Sequence, residues 1–139
     1  MLTKLFLFLL ATSSLRAAVA DKGNCSVSWE LFKSTAEFDL FYSKLKSSAQ
    51  SKNKDSLAEL SNFPLNTMIG HKMVQIKTKQ EFLQKFDKFY SPSITDAILK
   101  QDPKTVFCNS QGMMIGNGHV WVSKRGKKTG IITINRSAK

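Results

Sequence analysis

The hydrophobic pattern of this chain changes its period at Pro103, and that change most constrains the fold. Before Pro103 most apolar residues recur at helical spacing, whereas after it they alternate with polar residues, as in strands with one buried face. The segments TVFCN, GMMIG, HVWVSK and GIITINR predict three or four strands. Turns at 116–118 and 124–128 separate the later strands, and strands joined by short turns pair antiparallel. We therefore predict a C-terminal antiparallel meander.

Helix-start signals occupy the preceding part of the chain. Ser34 with Glu37 forms a capping-box pattern before an apolar stripe on one helical face. A similar pattern at Ser56 predicts a second helix, which we expect Pro64 to end. A third pattern at Thr78 opens a helix, and a fourth helix is expected from 93 to about 102. The predicted core stripes of the first and third helices are Phe38, Phe41 and Leu45, and Phe82, Phe86 and Phe89.

The order of these segments predicts the fold class. The segment 68–78 alternates enough to form one strand, or two joined by a turn. The chain therefore runs from helices to a strand, then to helices again, and finally to the meander. We expect an α+β fold in which N-terminal helices and a central helix pair pack on a curved antiparallel sheet.

The first twenty residues, MLTKLFLFLLATSSLRAAVA, have the pattern of a secretory signal peptide: a lysine, an apolar run and a small-residue cleavage site. The apolar run is shorter than the ~20 residues of a membrane span. We expect residues 1–20 to be removed and residues 21–139 to form one α+β domain. The product is expected to be periplasmic or secreted, without stable membrane insertion.

The charge balance narrows the class of partner. The chain has 21 basic and 10 acidic residues and a formal net charge of +11. Such a balance favours a negatively charged protein, an anionic lipid or sugar surface, or nucleic acid. A lysine-rich solubilising surface is the alternative. We expect no nucleic acid, because aromatic residues for base stacking do not lie among the cations and the chain is exported.

Cysteine and histidine usage limits the chemistry. Cys25 and Cys108 are an even pair in an exported chain, which predicts a disulfide. With only two cysteines and two histidines, no metal-ligand set of suitable spacing exists. The chain also lacks the nucleophile-elbow, phosphate-loop and zinc-protease motifs. We expect no cofactor, no metal and no catalytic residue.

Three segments carry a resemblance to a known type of protein: LAELSNFPL at 57–65, the helical stretch 76–98, and GMMIGNGHVWV at 112–122. They resemble small exported bacterial proteins of the NTF2-like, cystatin-like α+β type, most of which have no assigned activity. The resemblance implies helices on a cone-shaped curved sheet. It leaves function open, because this scaffold is used by isomerases, dehydratases, inhibitors and binding modules.

Enzymes on such a scaffold place an Asp, His or Tyr in the cone as a general acid or base. The resemblance therefore makes His71, Asp87, Tyr90 and His119 the pocket candidates. No two of them occur at a fixed spacing typical of an acid/base pair. By alternation, His119 shares a sheet face with Trp121, either as a pocket floor or as a half-exposed surface beside a turn.

The most specific surface feature is a basic hairpin with four cations in five residues: Lys124, Arg125, Lys127 and Lys128. It is suited to contact an acidic surface and raise the association rate. The alternative is a solubilising turn that protects a sheet edge. We expect an exported non-catalytic binding protein, such as an inhibitor or immunity-type protein, which contacts an acidic envelope partner through this hairpin, His119 and Trp121. The alternative function is small-ligand binding or lyase/isomerase-like chemistry in the cone pocket.

Overall fold

The computed structural model describes residues 24–136, so the predicted signal peptide lies outside the described residues. The helices are α1 (Cys25–Ser28), α2 (Thr35–Gln50), α3 (Lys54–Glu59), α4 (Lys79–Phe89) and α5 (Pro92–Lys100). The strands are β1 (Ser61–Ile69), β2 (Lys72–Ile76), β3 (Phe107–Asn109), β4 (Gly112–Ile115), β5 (Val120–Arg125) and β6 (Lys128–Ile134). The helices pack on a curved, unclosed six-stranded sheet, which confirms the α+β class.

Two helix starts follow the predicted capping chemistry. The Ser34 hydroxyl accepts a hydrogen bond from the Glu37 N–H at 3.2 Å, and the Thr78 hydroxyl accepts one from the Glu81 N–H at 3.1 Å. In both cases the glutamate carboxylate also accepts a hydrogen bond from the backbone N–H just before the cap. Side-chain oxygens thus satisfy N–H groups that a helix leaves without intrahelical partners.

The predicted second helix is wrong at both ends. It begins after Asn53, whose side-chain oxygen accepts a hydrogen bond from the Ser56 N–H at 3.1 Å, and it ends at Glu59. The Ser56 backbone N–H is therefore one of the groups that the cap satisfies, and the Ser56 side chain is not the capping group. Pro64 lies inside β1, after a cis peptide bond, and not at a helix end. The β1–β6 pairing shifts register in this part of β1, and such irregular places tolerate a residue that cannot donate to the ladder.

The sheet order is β2-β1-β6-β5-β4-β3. Segment 107–134 forms four strands, and each consecutive pair is antiparallel, as predicted. Strands β1 and β2 are likewise an antiparallel hairpin. The expectation of an antiparallel sheet fails at one contact, because β1 and β6 are parallel. These two strands are not consecutive, so no short turn dictates their relative direction.

The core lies between the helices and the inner face of the sheet. The predicted stripe residues of α2 and α4 are all buried. They meet strand residues that are also fully buried, such as Leu65, Met113 and Val122. The Tyr42 hydroxyl donates a hydrogen bond to the Ile98 carbonyl at 3.2 Å and so connects α2 to α5.

The predicted disulfide is present between Cys25 and Cys108, where it joins α1 to β3. It connects the start of the described chain to the edge strand of the sheet. Within residues 24–136, no helix combines the length and apolarity needed to cross a bilayer.

Candidate functional site

A cleft of about 330 Å³ lies between the N-terminal part of α2 and the β5–β6 hairpin. We call it the basic cleft. Its apolar lining consists of Leu31, Phe32, Leu40, Phe41 and Leu60, and its charged lining consists of Lys33, Glu37, Lys44, Lys124, Lys127 and Lys128. Thr129 completes the lining. The volume is at the small end of the ~300–1,000 Å³ range of ligand pockets.

The floor of the basic cleft is continuous with the core. Leu31, Phe32 and Phe41 are buried, and the Phe32 and Phe41 rings lie 5.2 Å apart between centroids. Leu40 is different: it lies off the buried stripe of α2 and is 58% exposed. A large exposed leucine beside an apolar floor provides a contact surface for another apolar group, which makes the cleft suitable for an apolar anchor.

The rim is strongly cationic: the described residues that line it include five lysines and a single carboxylate. Lys33 precedes α2, Lys44 lies one helical turn after Leu40, and the other three lysines belong to the hairpin. The ion pairs within residues 24–136 involve Lys54, Lys79 and Lys85 and none of the cleft lysines. The positive field at the cleft is therefore largely uncompensated, which favours an acidic ligand.

Long-range hydrogen bonds hold the hairpin beside α2. The Thr129 hydroxyl donates to the Leu31 carbonyl, and the Lys128 ammonium donates to the Ser61 carbonyl at 2.9 Å. The buried side-chain amide of Asn62 donates to one backbone carbonyl on each strand of the hairpin. Lys128 thus has a structural partner, which leaves Lys124 and Lys127 as the hairpin cations best placed to contact a ligand.

A second hollow of about 350 Å³ adjoins the basic cleft. It shares Phe32, Lys33 and Lys124 with the cleft and adds Val27 and Glu30. The two hollows are therefore neighbouring depressions on either side of Phe32, Lys33 and Lys124.

The structure separates the residues that we expected to contact a partner. Lys124, Lys127 and Lys128 all line the basic cleft. Arg125 is exposed on the hairpin, where it pairs with Lys128 across the ladder, and does not line the cleft.

Of the twelve residues that line the basic cleft, only the three hairpin lysines were predicted from the sequence, and the exposed residues missed include Lys33, Leu40 and Lys44. One signal could have indicated them, since Leu40 is a leucine on α2 outside the buried stripe. Lysines beside such a leucine on the same helix are candidates for the rim of an apolar contact surface.

His119 and Trp121 lie away from the basic cleft. His119 is half-buried in the turn before β5, and its Nδ1 accepts a hydrogen bond from the Asn117 N–H at 3.2 Å. Trp121 lies in β5 on the sheet face opposite the helices, paired with Met114 and Thr133. The imidazole therefore stabilises a turn, and the indole contributes to a separate surface.

The three remaining pocket candidates have different structural settings. His71 is exposed in the β1–β2 turn. The Asp87 side chain is 85% exposed and lies 3.3 Å from the Lys54 ammonium. Tyr90 is buried, its hydroxyl lies 2.8 Å from the Thr95 hydroxyl, and burial raises the pKa of Tyr90 above its usual value. Thus His71 lies in a solvent-exposed turn, Asp87 lies on an exposed helix face, and Tyr90 lies in the core.

Across residues 24–136, no group of three or more His, Cys, Asp or Glu side chains is arranged to hold a metal ion. The arrangement at the basic cleft is suited to recognition, since its lining combines an apolar floor with cations and contains no paired acid and base. Comparison of the chain with protein-family models, curated proteins and solved structures finds no match.

Proposed function

We propose that this protein is a non-catalytic binding protein of the cell envelope, periplasmic or secreted, that binds an acidic partner at the basic cleft. The observation that carries this proposal is the arrangement of five lysines around an apolar floor with one carboxylate in the described lining. A concrete form of this function is an inhibitor or immunity-type protein that occupies the site of an acidic enzyme.

The cleft chemistry specifies the segment that the partner presents. An apolar side chain placed against Leu40 and Phe41 would remove apolar surface from water, which contributes roughly 25 cal/mol per Å². Carboxylates on either side of that side chain would contact Lys44 on α2 and Lys124 or Lys127 on the hairpin. In such interfaces the buried anchor supplies most of the affinity, and the rim charges mainly raise the association rate.

The compartment is proposed on two grounds. The disulfide between Cys25 and Cys108 is of the kind that persists in oxidising compartments. The first twenty residues have the pattern of a signal peptide. An exported binding protein meets its partner outside the cytoplasm, where the disulfide remains oxidised.

A defined peptide tests the binding chemistry. The probe is a synthetic peptide with one phenylalanine flanked by two glutamates on each side. In a two-dimensional NMR titration we expect it to shift the Leu40 and Thr129 signals. Two control peptides separate the contributions: one with the phenylalanine replaced by glycine, and one with the glutamates replaced by lysines. Both are expected to bind more weakly, and equal binding by all three peptides would contradict the proposal.

A pair of variants with equal net charge tests the location. Lys124→Glu with Lys127→Glu reverses two cleft cations, whereas Lys100→Glu with Lys104→Glu reverses two exposed lysines outside the cleft lining. We expect the first pair to weaken peptide binding by at least about tenfold at low salt. The second pair is expected to change it far less. Equal loss in both pairs would show a general charge effect and exclude the cleft as the site.

A further inference from the structure

A hollow of about 390 Å³ lies on the sheet face that the helices leave uncovered, lined by Asn66, Gln111, Trp121, Ile132 and Thr133. We call it the tryptophan hollow. The strand neighbours Leu65 and Val122 are fully buried toward the helices, whereas Asn66 and Trp121 are half-buried, which places the hollow on the opposite face. It shares no lining residue with the basic cleft and is therefore a separate candidate site.

Strand pairing arranges neutral polar groups on both sides of the Trp121 indole. Thr133 in β6 is the direct cross-strand partner of Trp121 and also of Asn66. Thr133 and Asn66 therefore follow at about one and two strand spacings, roughly 4.8 and 9.6 Å from Trp121. Gln111 reaches the hollow from the β3–β4 turn, on the other side of β5. The hollow thus combines a flat apolar plane with hydrogen-bonding groups beside it.

These polar groups have hydrogen-bonding capacity to offer a ligand. Among the hydrogen bonds of residues 24–136, none uses the side-chain amide of Gln111, the hydroxyl of Thr133 or the indole N–H of Trp121. The Asn66 side-chain oxygen accepts from the Gln75 amide at 3.4 Å, which leaves the Asn66 amide N–H groups for another partner. An amide or a hydroxyl can both donate and accept, so the lining suits a ligand rich in hydroxyl groups.

The tryptophan hollow is also neutral. None of the described residues that line it is charged, in a chain that has 21 basic and 10 acidic residues. By alternation Arg125 lies on the same face, but it is four residues further along β5, roughly 13 Å from Trp121. A phosphate or carboxylate in the hollow would lose water without gaining a cation. The lining therefore favours a neutral ligand.

We propose that the tryptophan hollow binds a neutral oligosaccharide, with one pyranose ring lying flat against the Trp121 indole. A pyranose with equatorial hydroxyls has faces made of C–H groups and a rim of donors and acceptors. Its face matches the apolar indole, and its rim lies level with Gln111 and Thr133. An apolar protein side chain would cover the indole but leave the amides without partners, which costs affinity. The volume falls within the ~300–1,000 Å³ range of ligand pockets.

A titration with cellotriose, a neutral trisaccharide whose hydroxyls and linkages are equatorial, tests this proposal. In two-dimensional NMR of the purified protein we expect it to shift the Trp121 indole N–H and the side-chain amide signals of Asn66 and Gln111. The dissociation constant should be ~1 mM. Sorbitol has the hydroxyls without a ring face and should shift none of these signals. No shift at ~10 mM cellotriose, ten times that constant, or an equal response to sorbitol, would overturn the proposal.

Adenosine is the competing ligand, because a nucleobase also has a flat face and polar edges. We expect it to bind more weakly than cellotriose, since its aromatic ring carries no rim of hydroxyl groups for the hollow amides. Tighter binding of adenosine than of cellotriose would assign the hollow to a nucleobase and overturn the saccharide proposal.

Variants test the location. Trp121→Leu should weaken cellotriose binding by at least about tenfold. Gln111→Ala, at an exposed turn position, should weaken it by about fivefold, the loss expected for one hydrogen bond. The matched control is Trp29→Leu, which replaces a 48% exposed tryptophan outside the hollow and should leave binding unchanged. Unchanged binding in Gln111→Ala, or equal losses in the two tryptophan variants, would overturn the assignment to this hollow.

The double variant Lys124→Glu with Lys127→Glu separates this proposal from the one for the basic cleft. It should weaken binding of the acidic peptide and leave cellotriose binding unchanged, because neither lysine lines the tryptophan hollow. Trp121→Leu should do the reverse. Loss of cellotriose binding in the lysine variant would overturn the saccharide site without affecting the test of the cleft.

Discussion

The hydroxyl of Thr129 in β6 donates a hydrogen bond to the backbone carbonyl of Leu31, which lies 98 residues earlier in the chain. This bond attaches the basic hairpin to the segment that forms the floor of the basic cleft. The position of the hairpin lysines relative to α2 therefore depends on a contact between the two ends of the described chain.

Replacing Thr129 with valine tests this relationship. Thr129→Val removes the donor at nearly constant shape and should lower the free energy of unfolding by about 1 kcal/mol, because the Leu31 carbonyl loses its partner. Urea unfolding measures the change. The matched control is Thr133→Val in the same strand on the opposite sheet face, which we expect to cost less than about 0.5 kcal/mol. Equal costs would contradict a specific role for the bond.

Glycine is required at position 112 by both backbone conformation and space. Gly112 has φ +133°, and a Cβ there would overlap the backbone carbonyl oxygen of Val122 in the neighbouring strand. We expect Gly112→Ala to cost more than about 3 kcal/mol, since the ladder must shift to accept it. Gly126 has φ +62° and open space where a Cβ would lie, so alanine there should cost only ~1 kcal/mol. Thermal unfolding of the two variants distinguishes these outcomes, and similar melting temperatures would refute the steric explanation.

The start of α3 offers a direct test between two capping residues. Asn53→Ala removes the side chain that accepts from the Ser56 N–H and should cost about 1 kcal/mol. Ser56→Ala keeps that bond, because only the Ser56 backbone takes part, and should cost less than about 0.5 kcal/mol. Chemical denaturation of both variants provides the comparison. A larger loss for Ser56→Ala would favour the start that the sequence pattern predicted.

The stability of the protein should fall at alkaline pH. Burial, with a smaller contribution from Asp102, raises the pKa of Tyr42 above its ordinary value of about 10. Because the folded state holds this proton more tightly than the unfolded state, the stabilisation is complete below about pH 10 and decreases as the pH rises above that value. Tyr42→Phe cannot ionise, so its unfolding free energy should decline less steeply between about pH 10 and 11.5. Urea unfolding across this range tests the slope, and identical slopes would contradict the assignment.

Local signals in the sequence determined most of the helical layer. The caps at Ser34 and Thr78 and the apolar stripes of α2 and α4 are confirmed, because each depends on residues within about two helical turns. The disulfide was also predictable, since the chain contains only two cysteines. The capping pattern at Ser56 was misleading, because Asn53 caps that helix three residues earlier.

Only the tertiary structure decided which distant segments meet. The parallel contact of β1 with β6 leaves no local pattern, and it brings Pro64 into a strand rather than to a helix end. The basic cleft likewise combines Lys33 and Lys44 with lysines about 80 residues or more further along the chain. Short-range periodicity reports contacts within one element, whereas the basic cleft results from strand pairing and helix packing between elements. For that reason the sequence predicted most of the helices, the C-terminal strands and the basic hairpin, but not the first part of β1 or the cleft that the distant segments form together.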